Sequence, residues 1–184
     1  MPVLAEKAMT VEEFLGFAAK KSGKWELVDG QALAMSPGRV VHGDLKYRIA
    51  RALDAAIARA KIPCRFVLDS AAVKIDSLNS FQPDAMIYCG APLPPDAFFV
   101  PNPTVVVEIP SLETSRRDSY QKLAGYFKVK SVAHYLIVSP DGPLIIHHQR
   151  RGDDVLTRIF HEGTIRLDPP GMEVSVEEIY GNPA

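Results

Sequence analysis

Residues 104–111 read TVVVEIPS, and the β-branched run inside them decides the fold. Three consecutive valines followed by isoleucine one residue on do not alternate between apolar and polar. That pattern belongs to a strand buried on both faces, which requires a sheet covered on two sides. Glu108 stands at the end of this run. Burying a carboxylate there is costly unless something neutralises it or donates hydrogen bonds to it, and a divalent metal would do so. The competing reading places Glu108 where the strand leaves the sheet and meets water. Strand position alone leaves both open.

Working outward, short apolar stretches at 64–68, 71–75 and 85–88 precede the run, and another buried strand at 135–138 follows it. Residues 145–148 and 155–160 have the pattern of a closing hairpin or meander, and 169–180 that of an irregular tail with a short terminal helix. Between these lie helical periods. Thr10 followed by Glu13 is a capping box ahead of Phe14, Leu15 and Ala18. From 40 to 61, Leu45, Ile49, Leu53 and Ile57 recur at i, i+4, with Ala52, Ala56 and Ala60 alongside, before Ile62-Pro63 ends the helix. A further helix spans 115–129 with Leu123, Tyr126 and Phe127 inward. Asp29-Gly30, flanked by apolar residues at 25–28 and 31–35, is a two-residue hairpin signal. The order α, β-hairpin, α, several strands, α, strands fits a mixed sheet with helices against it, an α/β or mixed α+β class.

At 184 residues the length suits one domain, with its core at about 9–180. A net charge of −1 argues against tight non-specific binding to nucleic acid but allows a local basic patch. Arg116, Arg117 and Lys122 form one modest basic group, and Arg150 and Arg151 another. Cys64 and Cys89 lack metal-ligand spacing, and the expectation is two buried free thiols in a reducing cytoplasm. No apolar run reaches the ~20 residues a bilayer requires, and the N-terminal residues carry no signal-peptide core, so a cytoplasmic protein without membrane attachment is expected. Five prolines in GAPLPPDAFFVPNP (90–103) mark a long loop whose Phe98 and Phe99 either pin it to the core or offer a dimer contact. Phosphate-binding GxxxxGK[ST], GxSxG and HExxH patterns are absent from the sequence.

Four more polar residues draw attention. Asp84 follows Pro83, whose ring fixes the backbone ahead of AMIY. Asp118, Lys122 and Tyr126 share one helical face, where an Asp118–Lys122 surface ion pair is the structural alternative. Glu26 alternates with Trp25 and Leu27, so it is either an exposed edge residue or one aimed at an acidic cluster. His42 opens the long helix as a solvated or capping residue or as a candidate substrate contact. His134 and His161 look structural, and His147 and His148 alternate so that at most one faces a given pocket.

Taken together, Glu26 in WELVDGQALAMS, then His42, QPDAMIY (82–88), VVVEIPS (105–111), Asp118–Lys122–Tyr126 and HYLIVSP (134–140) resemble, in sequence order, the Uma-two family, whose members resemble PD-(D/E)XK nucleases. The resemblance runs from about residue 9 to 180. It implies a restriction-endonuclease-like core of mixed sheet flanked by helices, with Asp84 as the first acid and Glu108 as the second. The usual nuclease pattern has a lysine two residues after the second acid. Here that position is Pro110, and in the Uma-two pattern Lys122 of the following helix takes its place. Glu26 matches the family's hairpin acid and Ser111 a family serine, while Ser139 stands where the family usually has aspartate. By this resemblance Asp84 and Glu108, with the Ile109 carbonyl, would hold Mg²⁺ or Mn²⁺. Lys122 and Glu26 would complete the catalytic set, and His42, Arg116 and Arg117 would be candidate DNA contacts. The implied activity is phosphodiester hydrolysis in DNA, with a homodimer as the natural way to cut two strands. The competing readings are a nuclease-fold binding module for DNA or a protein, and a hydrolase of another phosphate ester.

Overall fold

The computed structural model describes residues 8–35, 38–111 and 116–181, and the side chains of residues 116–118 lie outside that description. Its first elements follow local rules. Helix α1 (Val11–Ala18) starts at Thr10, whose hydroxyl accepts from the Glu13 amide while the Glu13 carboxylate takes the Thr10 N–H. Strands β1 (Trp25–Val28) and β2 (Gln31–Ala34) form the expected hairpin. Asp29 and Gly30 both have positive φ, 50° and 77°, which is what a two-residue turn matching strand twist requires. A small sheet, β2-β1-β5-β4, is completed by β4 (Val73–Lys74) and β5 (Ser80–Phe81).

The larger sheet has the order β10-β9-β8-β7-β6-β3. Its strands are β3 (Cys64–Leu68), β6 (Ala85–Cys89), β7 (Pro103–Glu108), β8 (His134–Val138), β9 (Ile145–Arg151) and β10 (Asp154–Phe160). Only β7 and β8 run parallel, joined by a crossover through α3 (Arg116–Lys128), so the sheet is mixed. The TVVVEI run is buried on both sides, as its composition demands. Val105, Val107 and Ile109 pack with α2 (Val40–Ala60), while Val106 packs with Tyr126 of α3. The α2 stripe of Leu45, Ile49, Leu53 and Ala56 meets Ala85, Ile87, Leu136 and Val138. On the other face Met86, Val106 and Tyr135 meet Phe81 and Tyr126.

Three expectations are corrected. Cys64 and Cys89 are disulfide-bonded rather than free. They are direct register partners at the ends of antiparallel β3 and β6, an adjacency that sequence spacing cannot show. The tail is not irregular before its last helix: β11 (Thr164–Leu167) and β12 (Met172–Ser175) form a hairpin, and α4 (Val176–Tyr180) follows under a second capping box. Ile165, Leu167, Met172 and Val174 close the core over α2. Finally, of the two loop phenylalanines only Phe99 packs inward, against the α1 and β1 cluster, whereas Phe98 is 66% exposed.

Helix α3 lies close to the small sheet because position 125 has no side chain. A Cβ built on Gly125 would fall 2.5 Å from Cε2 of Phe81, a buried ring in edge contact with Tyr126 at 5.5 Å. Helix propensity favours alanine over glycine by up to about 1 kcal/mol. Overpacking a close-packed core costs about 1–3 kcal/mol, and here it should win because the Phe81 ring is buried and already in contact with Tyr126. Gly125→Ala is therefore expected to lower the denaturant midpoint, and a raised midpoint would show that α3 can lift without cost.

Candidate active site

Four segments deliver charged side chains to one margin of the large sheet. Glu26, Asp84, Glu108 and Lys122 are respectively 7%, 8%, 8% and 8% exposed. Alternation in β1 sends Trp25 and Leu27 into the α1 cluster and turns Glu26 the opposite way, which settles the choice between edge and interior in favour of the interior. Asp84 and Glu108 belong to the next step of the β6–β7 ladder, one residue beyond the Ala85↔Val107 pair. The last turns of α3 supply Lys122 and Tyr126 from a single face.

The contacts are specific. Lys122 Nζ donates to Glu108 Oε1 at 2.9 Å and to Glu26 Oε1 at 3.1 Å. The Tyr126 hydroxyl donates to the same Glu108 oxygen at 2.6 Å. Glu26 Oε1 also accepts the Gln82 N–H at 2.9 Å, which ties the β1 hairpin to the Pro83-Asp84 turn. The Ile109 N–H donates to Asp84 Oδ2 at 2.6 Å. His42 is neither solvated nor a cap. It is buried, with Nε2 3.3 Å from the Pro110 carbonyl, and its Nδ1 finds no partner among the described residues. A carbonyl only accepts, so Nε2 carries the proton.

Sequence reading missed an outer group of charges. Lys46, one helical turn after His42, reaches Asp84 Oδ1 at 2.8 Å and Asp69 Oδ1 at 3.1 Å. Lys24 pairs with Asp69 as well. The i, i+4 spacing of His42 and Lys46 was the available signal, but it has no meaning until Asp84 is known to lie beside α2. Other expectations fall away. Arg150 donates to the carbonyls of Phe127, Val129 and Val132, closing the C-terminal end of α3, so it belongs to the fold and not to a phosphate-binding patch. His147 meets His134 at 2.8 Å, and His148 meets Thr157 on the opposite face. Arg116, Arg117 and the Asp118–Lys122 pairing rest on side chains outside the described ones.

Burial pushes the Glu108 carboxyl up to about 7; Lys122 opposes this, and the Glu26 and Asp84 charges add to it. Burial, and then the Glu108 charge, hold Tyr126 well above the usual phenol range, so it stays a neutral donor. In Lys46 burial acts to lower the ammonium pKa, but Asp84 and Asp69 outweigh it and leave the group above the ordinary lysine value. The site thus contains more carboxylate than its lysines neutralise.

A mixed sheet with flanking helices and buried acids at the margin of adjacent central strands defines the restriction-endonuclease-like class. Residues 11–177 match the Uma2 family, described as "Putative restriction endonuclease", and the chain belongs to that family. An uncharacterized Synechocystis protein, sll1609, is 25% identical over 166 residues, covering 88% of this chain and 93% of its own. The crystal structure of "a putative nuclease belonging to DUF820" from Anabaena variabilis superposes with a TM-score of 0.71 at 15% identity, covering 94% of this chain and 97% of that one, and shows the shared fold. Among the described residues no helix is long and apolar enough to cross a membrane.

The Glu108 carboxyl makes a pH signature. Its folded value lies above the 4.5 of an unperturbed glutamate. Between roughly pH 4.5 and 7 the folded state holds a proton that the unfolded state has released, so stability falls as pH rises through this window. Denaturation of protein stripped of divalent cations should show that slope, and Glu108→Gln should flatten it. An unchanged slope in the variant would place the titration elsewhere.

Proposed function

We propose that the chain is a metal-dependent endonuclease that hydrolyses phosphodiester bonds in DNA, with Asp84, Glu108, Lys122 and Glu26 as its catalytic group. The observation that carries this reading is the convergence of three carboxylates and one ammonium, all buried, from four separate segments. Structural ion pairs rarely justify such a cost, because desolvation offsets most of the attraction they gain.

The donor set fits a hard divalent cation. Both hydrogen bonds to Glu108 fall on Oε1, and those to Glu26 do likewise, so one oxygen of each faces no donor among the described residues. Burial, reinforced by the Glu26 and Asp84 charges and only partly opposed by Lys122, brings Glu108 to take up a proton near neutrality. Among the described residues no group of three or more acids, histidines or cysteines forms a ready-made cage, so an ion bound here would need waters to complete its shell. Asp84 and Glu108, with the Ile109 carbonyl, would hold Mg²⁺ or Mn²⁺. When bound, the ion would supply charge neutralisation at the phosphate and a more acidic water.

The remaining steps belong to the chain. Lys122 donates from Nζ to the attacking water or to the oxygen that gains charge as the new P–O bond forms and the old one breaks. Glu26 aims that ammonium, and Tyr126 fixes the Glu108 oxygen it touches. Arg116 and Arg117 are the residues assigned to the DNA backbone; His42, buried and tied to the Pro110 carbonyl, would act only by holding the strand end in place. A homodimer meeting through exposed Phe98 would bring two sites to two strands; a stable monomer in sedimentation at high concentration would remove that part.

The test is cleavage of supercoiled plasmid and single-stranded DNA with Mg²⁺, Mn²⁺ or EDTA. Metal-dependent cleavage should fall roughly a hundredfold or more in Asp84→Ala and Glu108→Ala. The net charge of −1 favours the second reading, a binding module without catalysis. Absence of cleavage under every condition, with DNA or a protein partner still bound, would establish it.

A further inference from the structure

The outer lysine bears on the same carboxylate. Asp84 has two oxygens, and both are taken within the protein: Oδ2 by the Ile109 N–H and Oδ1 by Lys46. A divalent cation bound at Asp84 must therefore contend with an ammonium already seated 2.8 Å from Oδ1. Lys46 also has a second seat. Asp69 Oδ1 lies 3.1 Å from the same Nζ, so Lys46 can give up Asp84 without losing an ionic partner. Asp69 is itself held in place. Lys24 pairs with its carboxylate, and its N–H donates to the Asp84 carbonyl at 3.0 Å.

We infer that Lys46 is a resident placeholder cation: it neutralises Asp84 when no metal is bound, sets the affinity of the site by competing for Oδ1, and withdraws to Asp69 when a divalent ion enters. Lys46 acts through Asp84 and is a positioning residue. The inference rests on the metal-binding reading of Asp84 given above. The physical cause is local. The Lys46 side chain is about one-fifth exposed, so Coulomb repulsion between it and an incoming ion is only partly screened, while its stem has the freedom to swing between two carboxylates.

Calorimetric titration of the full-length protein with Mn²⁺ tests this without DNA. Lys46→Met keeps most of the unbranched stem and removes the competitor, so Mn²⁺ should bind about three- to tenfold more tightly. Asp69→Asn removes the second seat and should weaken binding by a similar factor. In the Lys46→Met background the Asp69→Asn effect should largely vanish, because no ammonium is left to redirect. A merely structural role would weaken binding in both single variants. Unchanged or weaker binding in Lys46→Met overturns the inference, as does absence of binding in both wild type and Lys46→Met. Asp84→Asn separates the two levels. Loss of binding there upholds the metal site whatever Lys46 does. Retained binding in Asp84→Asn places the ion elsewhere and overturns both.

Discussion

Everything at the sheet margin depends on one ammonium held out of water between two carboxylates. Lys122 is buried with Glu108 on one side and Glu26 on the other. In a low-dielectric setting such a group is tolerable only when its partners are fixed, since loss of one leaves an uncompensated buried charge at a cost of several kcal/mol. The three groups come from a hairpin, a central strand and a helix. The hairpin must therefore dock on β5, β7 must keep its place in the sheet, and α3 must press against Phe81. The tertiary structure and the ion pair are mutually conditional.

Charge balance explains why this arrangement is poised and not inert. Among the described side chains, four carboxylates, on Glu26, Asp69, Asp84 and Glu108, stand around the margin with three ammoniums, on Lys24, Lys46 and Lys122. Burial, with its acidic neighbours adding to it, moves Glu108 to about 7. Tyr126 contributes a dipole and no charge. A group in this condition accepts either a proton or a cation, and neutral pH lies where the two compete.

Much of the frame was legible in the sequence because it is set by local rules. The Thr10–Glu13 box, the Asp29-Gly30 turn, the α2 stripe and the valine run each carry their own geometry. So does the alternation that turns Glu26 away from Trp25 and Leu27. What stayed hidden depends on contacts between segments distant in the chain. Cys64 and Cys89 meet only through the β3–β6 register, and Arg150 caps α3 only because β9 passes its end. In the sequence Lys46 is one of several charged residues on α2, with nothing local to single it out. Its partner Asp84 lies on another strand, and no helical period announces it. The hairpin of β11 and β12 was obscured by Asp168-Pro169-Pro170-Gly171, a breaker cluster that turned out to be its connecting turn.

That the buried ammonium comes from α3 and not from β7 accords with the same backbone. After Glu108 the chain spends the Ile109 N–H on Asp84, and Pro110 has neither a donor nor a cationic side chain to offer. Pro110 instead presents its carbonyl to His42. The strand end is thus committed to holding the first acid and anchoring α2, and positive charge has to arrive from elsewhere. A lysine on β7 itself would be placed by strand geometry alone. On α3, its position depends on how closely the helix sits on the small sheet, which the bare Cα of Gly125 against Phe81 determines. Packing away from the carboxylates therefore sets the geometry of the buried cluster, and the helix–sheet spacing governs where Lys122 stands as much as its ion pairs do.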